Sequence, residues 1–521
     1  MDRKKEQGFA PDDVVGMAHL KGRLYGQYQR LVFFRDFLME EGLRALSYGI
    51  RPRFVLTYLG VLALTVAILT LPPLVVSLAY DEKILALRLV GVIAALTAFG
   101  IPMIPILPAN ALQENEALAI TALAFILIPV FMAFPLMSSS FPYRLALFES
   151  YSAITSTGLT VVDRIESCSR GFLFLRSWMQ WYGGLGIAIV SVALFLRHSI
   201  AAKRLLGLPE TNGWLTSSRA YARNVLISYC VLTIAGVLGV YMFLGEGFHA
   251  VVLTLSAVST GGFSSFDDSL ASIDPLSRIA VMLVALAGAL PLALVYRAMR
   301  GDIRALVADR EVLVFLTLIA VSGFWLCTIL PSGATGASTR LDRGLLTLSA
   351  HSTTGFSALD TTALSAAIQT TIILAMLVGG CGGSSSGGIK VWRIIVAGRL
   401  LLHHLAGAGL PEHAWLRLRV EKLSSRRDID STVLVFALMF CVIGLSWVAL
   451  CAYGYPMGNA LFEVVSATTN AGLSSGITSS RMPPGAAWIL VIDMLLGRLE
   501  FIALLIILFP PAWTSKRLKS S

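Results

Sequence analysis

The chain has 521 residues, 56% of them hydrophobic and only 14% charged, with a mean hydropathy of +0.75 and a formal net charge of +10. Soluble domains carry about 25% charged residues, so a set of ordinary soluble domains and long disordered regions are both excluded, and lipid is the solvent for most of the chain. The basic excess, Lys+Arg 41 against Asp+Glu 31, signals either nucleic-acid binding or membrane orientation, and its distribution decides between them.

Residues 1–53 mix both signs and hold a short amphipathic stretch over 31–46. No apolar signal-peptide core follows the first basic residues, so this tail reads as a cytoplasmic extension able to lie on the membrane surface. A span needs about 20 apolar residues. Ten candidates follow, near 54–80, 87–108, 116–138, 172–197, 224–245, 276–297, 311–330, 366–402, 430–456 and 485–511. Arg51 and Arg53 precede the first. Arg197, Lys203, Arg204, Arg219 and Arg223 follow the fourth, and Arg297, Arg300, Arg304 and Arg310 follow the sixth. Arg393, Arg417, Arg419, Lys422, Arg426 and Arg427 follow the eighth, and Lys516, Arg517 and Lys519 the tenth. All lie on one side if both termini are cytoplasmic, so the charge is an orientation signal and no nucleic-acid partner is expected. Two exceptions stand: Arg164, Arg170 and Arg176 fall outside, and the loop at Gln113–Glu116 lacks Lys and Arg. Six scattered cysteines, Cys168, Cys230, Cys327, Cys381, Cys441 and Cys451, read as buried free thiols.

One pattern occurs four times: Ser152-Ala153 to Gly158-Leu159, Ser256-Ala257 to Gly262-Phe263, Ser349-Ala350 to Gly355-Phe356, and Ser466-Ala467 to Gly472-Leu473. Each copy follows an apolar stretch too short to span (145–152, 248–256, 344–349, 461–466) and lies between two full spans. The unit is span, half-helix, glycine loop, span. Two spans return the chain to its starting side, so all four units share one orientation around an axis along the membrane normal. The expected division is a tail (1–53), two extra spans (54–112) and four units (113–205, 206–305, 306–420, 421–521). An inverted-repeat carrier needs an odd span count per repeat. Non-helical backbone at membrane depth must be buried in protein or line water, so four such loops make a constriction whose carbonyls replace a cation's hydration shell. Small-residue helix packing explains one copy better than four. The filter residues expected are Ser156, Thr157, Gly158, Thr260, Gly261, Gly262, Thr353, Thr354, Gly355, Asn470, Ala471 and Gly472. Glu149 and Glu463, in the half-helices, either anchor the loops from behind or attract cations at the mouth. His351 is expected to pack behind the filter.

The eighth span contains six glycines and three serines in ten residues: Gly379, Gly380, Gly382, Gly383, Ser384, Ser385, Ser386, Gly387 and Gly388, interrupted by Cys381. Each Gly costs about 1 kcal/mol in a helix, so a loop opens here, just below the filter, where a gate belongs. Lys390 reads as an interface cation. Arg498 sits inside the last span and needs partners. Its options are the loop carbonyls, Asp493 or Glu500, or snorkelling to the interface. Gly383-Ser384-Ser385-Ser386-Gly387 matches the nucleophile elbow of hydrolases, but no strand context or acid–His pair accompanies it, so no enzyme is expected.

These motifs, with Trp178-Met179-Gln180-Trp181-Tyr182-Gly183-Gly184-Leu185-Gly186, Gly379 to Val391 and Gly497-Arg498-Leu499-Glu500, resemble the TrkH-type membrane subunit of the Trk/Ktr/HKT potassium transporter superfamily over residues of about 54 to 515. The fourth loop, Asn470-Ala471-Gly472-Leu473-Ser474, departs from the Gly-Pro-Gly run of many members, and the N-terminal tail is long. The resemblance implies an all-α polytopic protein of the bacterial inner membrane, with four span–pore-helix–span repeats around a pseudo-fourfold pore and two extra N-terminal spans. It implies K⁺ as transported ion with no organic cofactor, residues 379–388 and Arg498 as the gate, a homodimer, and a cytoplasmic nucleotide-binding ring of TrkA type as partner. A Na⁺ or mixed-cation path and ion-coupled K⁺ symport are the alternatives.

Overall fold

In lipid a backbone has no water to bond with, so a spanning segment must pair its own N–H and C=O groups. The computed structural model describes residues 50–106, 113–139, 141–198, 214–328, 337–408, 426–509 and 513, and its elements there are helices, with no strand among the described residues. The first 49 residues, including 31–46, and the basic residues Lys203, Arg204, Arg417, Arg419, Lys422, Lys516, Arg517 and Lys519 lie outside the described residues.

Two N-terminal antiparallel arms come first, α1 (Pro52–Leu69) with α2 (Leu71–Ala79), then α3 (Lys83–Gly100). Then follow α4 (Glu114–Leu136), α5 (Tyr143–Ile154) and α6 (Arg170–His198), and next α7 (Trp214–Leu244), α8 (Gly247–Val258), α9 (Pro275–Gly288) and α10 (Leu292–Met299). The short α11 (Ile303–Val307) leads to α12 (Arg310–Thr328), α13 (Ala337–Ser352), α14 (Ala366–Val378) and α15 (Val391–Ala408). The chain ends with α16 (Arg426–Ala452), α17 (Met457–Thr468), α18 (Pro484–Arg498) and α19 (Ile502–Leu508). Large apolar side chains such as Met242, Phe324 and Leu402 are exposed on the spans, as a lipid solvent permits. All six cysteines are free, but only Cys381 is buried and Cys441 is exposed. The other five are thus not buried as expected: on a spanning helix a thiol facing lipid gains little more from protein contact, and Cys168 lies in the segment between α5 and α6.

Six described helices are long and apolar enough to cross a membrane: Pro52–Ala79, Lys83–Pro105, Asn115–Leu136, Tyr221–Leu244, Arg310–Thr328 and Ile429–Ala452. Three of the other expected spans are broken. The break in the eighth, between α14 and α15, is the one the glycines foretold. The sixth bends by 106° between α9 and α10. Pro291 stands there; it has no N–H to donate and its ring crowds the preceding turn. The tenth breaks between α18 and α19, where Glu500 and Phe501 take φ of 50° and 63°. The continuous spans expected at 276–297 and 485–511 are corrected accordingly.

Candidate functional site: a ring of four loops over a glycine-rich loop

The short helices α5, α8, α13 and α17 end alike. The N–H of Ser156 bonds the carbonyl of Ala153 and that of Thr157 the carbonyl of Ser152. The same pair of bonds joins Thr260 to Ala257 and Gly261 to Ser256, Thr353 to Ala350 and Thr354 to Ser349, and Asn470 to Ala467 and Ala471 to Ser466. This is the Schellman cap, which requires a left-handed residue just past the helix. Ser156, Thr260, Thr353 and Asn470 supply it, with φ of 46°, 51°, 51° and 54°. A non-glycine residue there costs roughly 1–2 kcal/mol, and for the β-branched Thr260 and Thr353 it is a genuine outlier. Sequence reasoning missed this strain, because the usual cap signal is a Gly at that position. The Ser-Ala pair that opens each copy is the acceptor half of the cap.

Two residues further, Gly158, Gly262, Gly355 and Gly472 also have positive φ, from 76° to 95°. A Cβ on Gly158 would collide with the carbonyl oxygen of Gly261, one on Gly262 with that of Thr354, one on Gly355 with that of Ala471, and one on Gly472 with that of Thr157. The order runs first to second to third to fourth and back to first, a closed ring. All twelve residues expected from the sequence lie in it. Four helix C-termini end at the ring, each carrying about half a negative charge. Leu159, Phe263, Phe356 and Leu473 are buried beside it.

The four quarters are held differently. Glu149 is fully buried and accepts from Thr160 Oγ1 (2.9 Å), the Val161 amide (3.1 Å) and Arg176 Nε (2.7 Å). Glu463 accepts from Ser474 Oγ (2.9 Å), the Ser475 amide (2.8 Å) and the Thr478 amide (3.1 Å). Both carboxylates therefore brace the backbone after the ring from behind. The same register holds Leu253 and Leu346 in the other two copies, both buried. Gln180 on α6 serves the second copy instead: Nε2 donates to the Gly261 carbonyl (2.6 Å), and Oε1 accepts from the Phe263 amide (3.2 Å). Asn470 Nδ2 donates to Thr157 Oγ1 and to the Met494 carbonyl, both at 2.9 Å. Arg176, an apparent exception to the charge distribution, is 1% exposed and lies 3.9 Å over the Phe263 ring. His351 is buried behind the ring, its Nε2 3.0 Å from Ser322 Oγ on α12.

On one side the ring opens into a cavity of about 480 Å³, lined by the four glycines, Asp267, Asp268, Asp360 and Arg176. The Thr362 hydroxyl and amide hold the Asp360 carboxyl below its ordinary value.

On the other side lies the loop between α14 and α15. Ser385 Oγ donates to the carbonyls of Val258 and Gly288, both at 2.9 Å, and the Gly387 amide donates to Thr353 Oγ1 (2.7 Å). At the α9–α10 bend the Gly288 carbonyl also accepts from the Ser385 amide (3.2 Å), and the Ala289 carbonyl accepts from the Cys381 amide (3.1 Å). Arg498 is 3% exposed, and its Nη1 donates to the Ser385 carbonyl (2.8 Å). The alternative pairings of Arg498 are not formed: Asp493 accepts from Ser446 Oγ (2.7 Å) and Glu500 from Arg393 Nη2 (2.5 Å). Lys390 is not an interface cation. It is buried, and its Nζ donates to the Ser386 carbonyl, because an opened helix leaves carbonyls that need donors. The Ser385 hydroxyl, committed as donor to main-chain carbonyls, is no activated nucleophile.

Residues 108–513 match the TrkH family, described as cation transport protein. The chain is 31% identical to the Trk system potassium uptake protein TrkI of Halomonas elongata over 489 residues, 88% of this chain and 96% of that one. It is 26% identical to the Trk system potassium uptake protein TrkH of Salmonella typhimurium, over 77% of this chain and 86% of that one. Its fold superposes on the crystal structure of the potassium transporter TrkH from Vibrio parahaemolyticus with a TM-score of 0.77 at 23% identity, covering 89% of this chain and 100% of that one.

Proposed function

The chain belongs to the TrkH family of cation transport proteins, a multi-pass membrane family and not one of enzymes, and from that premise we propose that it carries K⁺ into a bacterial cell through the ring, across the inner membrane with both termini cytoplasmic. The observation that carries this reading is the closed ring itself. Four glycines each abut the carbonyl that precedes the next glycine, so a dehydrated cation on the axis meets carbonyl dipoles from every quarter. The cavity at its mouth sets three carboxyl groups, Asp267, Asp268 and Asp360, against one guanidinium, Arg176, a negative balance that raises cation concentration there. K⁺ names in the relatives support the choice of ion.

The Gly/Ser loop (379–388) with Arg498 is the gate in this reading. A guanidinium at the base of a cation path opposes passage by its charge, and its contact to Ser385 ties it to a loop of weak helical propensity. The protein works as a homodimer, and a nucleotide-binding ring docks on its basic cytoplasmic face. Each unit of the chain, within the boundaries given by the sequence, supplies one quarter of the pore.

The test is rescue of a K⁺-uptake-deficient bacterium on low K⁺, with ⁸⁶Rb⁺ and ²²Na⁺ uptake measured alongside. Rescue with Rb⁺ uptake that K⁺ competes and Na⁺ does not is expected. Na⁺ uptake without rescue, with the protein present in the membrane, overturns K⁺ as the cargo.

A further inference from the structure

Glu311 belongs to neither the ring nor the Arg498 contact, yet it touches the Gly/Ser loop at two places. It stands in the first turn of α12, where the Asp309 carboxylate accepts from the amides of Glu311 (2.9 Å) and Val312 (3.2 Å) and fixes the start of the helix. From there a single oxygen, Oε1, accepts from the Gly382 amide (2.6 Å) and from the Trp392 amide (3.1 Å). Gly382 lies near the start of the loop. Trp392 lies in the first turn of α15, where amides have no acceptor within their own helix. One carboxylate on a neighbouring helix thus joins the two ends of the loop. The fit is close: a Cβ on Gly382 would stand 2.9 Å from Trp392 Cδ1 and 3.5 Å from Glu311 Oε1. The other tethers of the loop run toward the pore, to Gly288, Ala289, Thr353 and Arg498. Glu311 adds a tether from α12, which none of these uses.

We propose that Glu311 is a positioning residue that latches the Gly/Ser loop in the conformation seen here, so that leaving the latch is part of opening. The inference rests on the reading of that loop as the gate, and its readouts separate the two. Cys381 provides the probe: it adjoins Gly382, is free, and is 0% exposed. The full chain, with Cys168, Cys230, Cys327, Cys441 and Cys451 replaced by Ala, is labelled in membranes with a permeant maleimide, and basal ⁸⁶Rb⁺ flux is measured in parallel. Glu311→Ala is expected to speed Cys381 labelling by about tenfold or more, the scale of two hydrogen bonds lost together, and to raise basal flux. Glu311→Gln keeps an acceptor oxygen and stays near the parent in both. Glu311→Asp draws the carboxylate back and falls between them, which keeps the test open if the Ala variant does not fold. Unchanged labelling in the Ala and Asp variants overturns the latch, and so does a Gln variant that labels as fast as Ala. Faster labelling with unchanged flux upholds the latch and removes the loop as gate. Raised flux in Arg498→Ala with slow labelling in Glu311→Ala keeps the gate and removes the latch.

Discussion

The ring and the layer beneath it use irregular backbone in opposite ways. In the ring the same cap and the same glycine occur four times, with φ at the cap residue varying only from 46° to 54°. Beneath it three spans break, each by a different device: Pro291 in one, a tract of glycine and serine in another, and the left-handed pair Glu500–Phe501 in the last. The corresponding helix of the first unit, α6, runs unbroken from Arg170 to His198. In the proposed reading an ion on the axis demands similar ligands from all sides, which the repeated ring would supply, and a movable obstruction needs to come from one side only, which the unrepeated lower layer would supply.

The supports of the ring are where the symmetry fails, and they give the largest predicted effect. Glu149 and Glu463 brace the first and fourth quarters through equivalent bonds, but only Glu149 has a buried arginine attached. Glu149→Gln strands the Arg176 charge, and breaking such a buried pair costs about 3–5 kcal/mol. Glu463→Gln strands no charge and is expected to cost less than half as much. Thermal unfolding in detergent compares them. Equal losses break the distinction, and recovery of Glu149→Gln by adding Arg176→Met sharpens it.

Next in size is the ring glycine. Gly355→Ser places a Cβ at a φ of 85° against the Ala471 carbonyl and the Gly472 backbone. Strain of roughly 1–3 kcal/mol per site is expected to cut K⁺ over Na⁺ discrimination by about tenfold or more, read from competition of the two ions for ⁸⁶Rb⁺ uptake. Parent-like discrimination counts against the ring as filter. The lower layer answers differently. Arg498→Ala removes one charge-assisted bond to Ser385, worth about 1.5–3 kcal/mol, and is expected to raise basal flux severalfold while leaving ion discrimination intact. A variant that loses discrimination instead joins the two layers into one.

How much of this was legible in the sequence follows from the same contrast. Repetition is readable without structure, so the four glycines, their flanking Ser and Thr residues, and the half-helices before them were all found from one chain. The Gly/Ser loop was readable because its composition alone opposes a helix. The 106° bend was half-signalled by Pro291, which can kink a span as well as break it. The break at Glu500–Phe501 carries no Gly or Pro and left no trace. The braces were partly hidden: Glu149 and Glu463 share Leu-Phe-Glu, but Gln180 and Glu311 reach across from other helices, and sequence distance conceals such contacts. Lys390 departs from expectation because a basic residue after a span ordinarily faces the interface, and only the folded loop shows the carbonyl that captures it.

The smallest predicted effect lies at the seam where the fourth quarter meets the first. Here the cap residue is Asn470 in place of Ser or Thr. Asparagine tolerates a left-handed backbone better than they do, so this quarter has the least strained cap of the four. Its side chain adds what the others lack, a bond across the seam to Thr157 Oγ1 and a second to Met494 on α18. Asn470→Ser makes the fourth cap like the first but severs both. A net loss of about 1 kcal/mol per neutral hydrogen bond is expected to lower K⁺ over Na⁺ discrimination only a few-fold, less than at Gly355, because the backbone ring stays closed. If Asn470→Ser equals Gly355→Ser, the seam rather than the glycine sets the filter. If it changes nothing, the four quarters are held by their backbone alone, and the differences among their side chains serve stability and not the ion.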